Sequence, residues 1–305
     1  MKTIKQTIVI LIITIVFGCK TDKQTNGKLN VVTTTTMISD LVENIGGDYI
    51  NINGLMGSGV DPHLYKASEG DVSKLVNADI IFYNGLHLEG KLVEVFEKMG
   101  SKTKTQIALG EELDKSTLIG SDYFASNYDP HVWFDINYYR QFATKVTKVL
   151  AEKDPENKEA YYTNEREYIA KLFLLESDIK AVIETLPKEK RILVTAHDAF
   201  NYFGKAYDFE VLGLQGLSTA TEAGVKDVQK LSAFIIERDI KAIFVESSVP
   251  KRTIEALQAA VKSKGHNVAI GGTLYSDALG TSGTAEGTYI GMFEYNVNTI
   301  VNALK

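Results

Sequence analysis

Two of the chain's five histidines close the same tripeptide, Asp61-Pro62-His63 and Asp129-Pro130-His131. Proline fixes its own φ and biases the residue before it toward an extended form, so each imidazole is presented at a stiffened turn. A third, His197, follows a strand-like run ending at Thr195 and precedes Asp198, a candidate cap for the next helix. Asp277, in Leu274-Tyr275-Ser276-Asp277-Ala278-Leu279, lies just past the last expected strand. Three imidazoles and one carboxylate are a donor set suited to a divalent first-row metal ion. The same histidines would also serve to cap loops or hydrogen-bond in a polar crevice, and spacing alone does not choose. Glu246, after a strand ending at Val245, and His87, after the strand ending at Tyr83, are candidates to orient a ligand from behind. A carboxylate capping the next loop fits Glu246 equally, and a surface position fits His87. Asp61, Asp129 and Asp198 carry the same ambiguity. His266 reads as an exposed turn residue, and Trp133, the only tryptophan, as packing.

Strands alternating with helices must position these residues. Strand-like runs are expected at 28–35, 49–56, 80–83 and 105–109, with helices at 38–45, 68–77, 89–99 and 136–153 between and after them. After Pro187 the alternation restarts: strands at 191–195, 210–214, 241–245 and 267–270, helices at 199–207, 225–238, 250–264 and about 288–304. Alternation of this kind predicts parallel βαβ units, hence two α/β lobes. Ligands of open parallel sheets bind beyond the carboxyl ends of the strands, which places the site in the cleft between the lobes.

One long helix is expected to join them. Asp154 and Pro155 read as a cap and a first-turn proline, and apolar residues recur at Tyr161, Tyr168, Ile169, Leu172, Leu175, Ile179, Val182, Ile183 and Leu186 before Pro187 stops the run. The boundaries expected are a signal peptide over 1–18, a tether over 19–28, a first lobe over 29–153, the linking helix over 154–187 and a second lobe over 188–305.

Lys2 and Lys5 precede an apolar run from Ile8 to Phe17, too short to cross a bilayer of roughly 30 Å. Gly18-Cys19 then resembles a bacterial lipobox, which makes Cys19 the expected lipidated N-terminus; as the only cysteine it offers no disulfide framework and no thiolate metal site. Cleavage there removes Lys2 and Lys5 and takes the net charge from −6 to −8. This acidic balance argues against nucleic acid or an anionic membrane surface as partner.

Val60-Asp61-Pro62-His63-Leu64-Tyr65, Asp129-Pro130-His131-Val132-Trp133-Phe134-Asp135, Thr195-Ala196-His197-Asp198-Ala199-Phe200 and the Asp277 segment, in this order, resemble the metal-binding lipoproteins of manganese and zinc ABC importers, the TroA-like cluster A-I solute-binding proteins. The resemblance spans essentially the whole chain after Cys19. It implies two α/β lobes on a single long helix, with Mn²⁺ or Zn²⁺ held between them by His63, His131, His197 and Asp277. It also implies an ABC permease with its ATPase as partners, a lipid anchor in the cell envelope on the periplasmic side or the outer face of the cytoplasmic membrane, and a monomer. Manganese- and iron-type relatives often carry glutamate at the third position, so His197 leans toward zinc. The segment from Glu111 to Tyr128 lacks the histidine-rich loop of zinc-specific relatives, which leans back toward a site that takes either ion.

The reading is therefore a binding protein that captures a divalent transition metal, not an enzyme. The rivals are a zinc hydrolase on the same ligands, which needs an open water position and a free general base, and a surface adhesin, a role with which relatives have been credited.

Overall fold

The computed structural model describes residues 27–99, 105–122 and 124–305. The expected signal peptide, Cys19 and most of the tether lie outside the described residues. The first lobe runs β1 (Leu29–Thr33), α1 (Thr36–Gly46), β2 (Ile50–Gly54), α2 (Glu69–Asn77), β3 (Ile80–Tyr83), α3 (Val93–Met99), β4 (Thr105–Ala108) and α4 (Ile136–Lys153). Its four strands form one parallel sheet in the order β2-β1-β3-β4. After the long helix α5 (Lys158–Glu184), the second lobe runs β5 (Ile192–His197), α6 (Asn201–Tyr207), β6 (Glu210–Gln215), α7 (Val225–Glu237), β7 (Ala242–Glu246), α8 (Arg252–Ser263), β8 (Ala269–Leu274) and α9 (Tyr289–Leu304). Its strands form two parallel pairs, β5-β6 and β7-β8, that lie side by side through β5 and β7. Among the described residues no helix is long and apolar enough to cross a membrane.

Helix α5 has 27 residues, about 40 Å at 1.5 Å per residue. It starts later than its sequence suggests. Asp154 caps no backbone group; its carboxylate accepts instead from the Tyr161 hydroxyl at 2.6 Å and the Asn157 amide at 2.7 Å, and Pro155–Asn157 form a separate 3₁₀ turn. Tyr161, Tyr168, Leu172, Leu175, Ile179 and Ile183 are its buried stripe, as the periodicity predicts. That stripe joins α1, α4 and α9 in one apolar core that continues from the first lobe into the second. A core shared in this way resists large hinge motions, because opening the lobes would expose it.

Three other boundaries move for reasons outside their own segments. Helix α3 begins at Val93 rather than Glu89, since the Glu89 carboxylate turns inward to accept from Asn84 N at 2.7 Å, Gly85 N at 3.1 Å and the Thr34 hydroxyl at 2.7 Å. Helix α6 begins at Asn201, and Asp198 accepts from Gly213 N at 2.8 Å instead of capping it. Strand β8 continues through Gly271 and Gly272, where a Cβ at Gly271 would overlap Ala303 of α9 and Phe244 of β7. These glycines admit a close helix approach.

Candidate metal centre

Each of the four residues singled out in the sequence comes from a strand end or the loop beyond it, and their side chains meet. His197 is the last residue of β5, which runs two residues beyond the end its sequence suggests, and Asp277 follows β8 by a short loop. His63 arrives from the loop after β2, and His131 opens a 3₁₀ turn, Val132–Phe134, that leads into α4. One ligand atom from each lies within 4.8 Å of every other, and all four residues are buried. The Nε2 atoms of His63 and His131 are 3.3 Å apart, and Asp277 carboxylate oxygens stand 3.3 Å from His197 Nε2, 3.6 Å from His131 Nε2 and 4.0 Å from His63 Nε2. Tetrahedral ligands about 2.0–2.1 Å from a zinc ion are about 3.4 Å from one another. The cluster has the spacing of a coordination shell.

Its electrostatics suit a cation. Burial alone would push the Asp277 carboxyl up, but His197 above all, with His131 and His63, overrides it and holds the group well below the ordinary carboxylate range. His63 is pushed down to about 3, chiefly by burial, with Asp277 opposing. Burial also pulls His197 down, yet Asp277 and Glu246 together outweigh it and set its affinity for a proton well above that of an ordinary imidazole. His63 is thus neutral, whereas His197 in the protein alone carries a proton. Asp277 Oδ1 has no hydrogen-bond partner among the described residues, although it is buried, so it is free to ligate beside Oδ2.

Carboxylates stand behind two of the rings. Asp129 Oδ1 accepts from the backbone N–H of His131 at 2.9 Å and lies 2.7 Å from its Nδ1, which leaves Nε2 to face the centre. Glu246, the last residue of β7, accepts from His197 N at 2.8 Å through Oε1; its Oε2 is 2.6 Å from His197 Nδ1, in a contact too bent for a linear hydrogen bond. Asp61 meets His63 through its backbone N–H, at 2.8 Å, and not through the ring. His87 is exposed and lies outside the buried group; its ring meets Phe124, which also meets His63. Asp129→Asn, which keeps an acceptor for the backbone N–H but removes the charge behind Nδ1, is expected to weaken metal affinity about tenfold, as measured by competition with a chelator.

Several supports had no signal in periodicity or spacing. Trp133 packs as expected, 5.3 Å from the His131 ring, but its indole N–H also donates across the cleft to Ser276 O at 3.1 Å. Asn296 on α9 pins Tyr275 with two bonds, to its N–H at 2.9 Å and from its own amide to the carbonyl at 2.7 Å, and so fixes the loop that carries Asp277. A Cβ at Gly213 would overlap the backbone of His197 and Asp198, so only glycine lets β6 run this close to the His197 strand end.

The family model of the periplasmic zinc-uptake complex component A, ZnuA, matches residues 31–303. The manganese-binding lipoprotein MntA of Bacillus subtilis (strain 168) is 47% identical over 291 residues, 94% of either chain. The zinc-binding protein TroA of Treponema pallidum (strain Nichols) is 47% identical over 288 residues, covering 94% of this chain and 92% of its own. The solved structure of that periplasmic zinc-binding protein superposes with a TM-score of 0.89, covering 91% of this chain and 99% of the other.

Proposed function

The chain belongs to the ZnuA family of periplasmic zinc-uptake components, and from that membership we propose that it captures Mn²⁺ or Zn²⁺ outside the cytoplasm and delivers the ion to an ABC permease. The carrying observation is the convergence of three imidazoles and one carboxylate, buried and drawn from both lobes, at the spacing of a metal shell. His63, His131, His197 and Asp277 are the proposed ligands. Capture exchanges the ion's waters for ring nitrogens and carboxylate oxygen, and the proton on His197 leaves as the ion arrives. Solute-binding proteins of this kind work with a membrane permease and its ATPase, and a lipid on Cys19 would keep this one in the envelope beside them, as a monomer.

The family is one of binding proteins. Four protein donors support the same reading for this chain, because a hydrolytic zinc leaves one position to water and needs a free base beside it, whereas Glu246 here is engaged by His197. The donor set suits either ion: one oxygen of Asp277 makes a four-coordinate shell for zinc, and both make the higher coordination manganese accepts. Zn²⁺ should bind the more tightly by the ordinary order of divalent affinities. Elemental analysis of protein purified from its own envelope is expected to find about one transition-metal ion per chain, and a deletion strain is expected to lose uptake of labelled Mn²⁺ or Zn²⁺. Unchanged uptake of both would reject the delivery role.

A further inference from the structure

In each Asp-Pro-His tripeptide the aspartate divides its two oxygens between its own histidine and the opposite lobe. Asp61 Oδ1 accepts from His63 N at 2.8 Å, while Oδ2 accepts from the Thr219 hydroxyl at 2.5 Å. Asp129 Oδ1 accepts from His131 N at 2.9 Å, while Oδ2 accepts from the Asn201 amide at 3.0 Å. Both first-lobe histidines are therefore tied to the second lobe through an aspartate, as well as through whatever their rings jointly hold.

The two ties are built differently. Asn201 opens helix α6, and the next residue, Tyr202, donates to the Asp129 carbonyl at 3.0 Å, so this turn is gripped twice by one helix. Thr219 lies on the stretch 216–224 between β6 and α7, which glycines bound at both ends. It is the one buried residue there; its neighbours in the stretch are half-buried or exposed. What it holds is the outermost of the four side chains: His63 is 4% exposed against 0–1% for the other three, and its Nε2 stands furthest from Asp277, at 4.0 Å.

We propose that Thr219 is a positioning residue for ion retention: its hydroxyl, acting through Asp61, holds the His63 turn over the ion and is the releasable one of the two ties. The inference rests on the metal-capture reading above. A hydrogen bond to a charged acceptor that is made when the lobes are together, and lost when the His63 turn lifts, slows departure of the ion rather than its arrival.

The test is release of Zn²⁺ from loaded protein into excess coloured chelator, followed by stopped flow, for wild type, Thr219→Val, Thr219→Ala and Thr219→Ser. Val and Ala, which lack the hydroxyl, are expected to release about tenfold faster, the low end of what such a bond contributes; Ser is expected to restore slow release. Wild-type rates in both Val and Ala would overturn the proposal. So would a Ser variant as fast as Val, since packing of the methyl group and not the hydroxyl would then be responsible. Should Val fold poorly, Ala and Ser carry the comparison alone. Wild-type protein that takes up no equivalent of Zn²⁺ would sink the capture reading itself, and this proposal with it, so the two failures are told apart in one experiment.

Discussion

Asp277→Asn is expected to leave a folded protein that holds Zn²⁺ or Mn²⁺ about a thousandfold more weakly, beyond the tenfold to hundredfold loss typical of a residue that only supports a ligand. Asparagine matches aspartate in shape, so the buried site keeps its packing. What disappears is the one anion among the described residues within reach of all three imidazoles, at 3.3, 3.6 and 4.0 Å. Three neutral rings alone compensate poorly for the waters a divalent ion gives up in a buried site. The variant should therefore lose the rise in melting temperature that saturating Zn²⁺ gives wild type through mass action. Its metal-free melting point should fall as well, because the imidazoles that hold the Asp277 carboxyl below its ordinary range stabilise the folded protein at neutral pH, and asparagine gives that up. Wild-type affinity in a chelator competition would remove Asp277 from the ligand set.

The second large effect is on pH. His197, held by Asp277 and Glu246 against the effect of burial, keeps its proton through neutral pH in the protein alone. That proton must leave before Nε2 can ligate. Lower pH favours the protonated form and opposes capture, so apparent affinity is expected to fall about tenfold per pH unit, about a hundredfold from pH 7.5 to 5.5. His63, pushed down to about 3, adds nothing in this window. His197 contributes one proton per ion to the slope, and calorimetry in buffers of different ionisation enthalpy should count its release at pH 7. Affinity unchanged across the window would reject histidine ligation, and a slope near two would mean that a second ring is protonated as well.

Much of this protein was legible residue by residue. Helix α4 runs from Ile136 to Lys153, the bounds expected, and α9 begins at Tyr289, capped by Thr288, where a helix from about 288 was expected. The four proposed ligands stood out as candidates because proline stiffens two of their turns and strand ends in parallel sheets face a common edge, and the family resemblance joined them into one set. The departures share one origin. Asp154 and Asp198 are competent helix caps, and Glu89 a competent first-turn residue, taken away by other donors, from Tyr161, Gly213 and the 84–85 backbone respectively. Gly271 and Gly272 look like a strand's end and are instead the clearance for α9. His87 has the residue type and the position after a strand, and it takes the exposed position that was the other reading of it.

Sequence by itself determined the alternation of strands and helices, the buried stripe of the long helix and the donor types of the four candidate ligands, because periodicity, turn chemistry and donor type act over a few neighbouring residues. Only the tertiary structure decided which carboxylate stands behind which ring, that Trp133 bridges to Ser276, and that Thr219 reaches Asp61 from 158 positions away. Those bonds depend on where two lobes come to rest against each other. Their placement follows from a core shared through α5 and α9, a sum over many distant contacts that no local pattern carries.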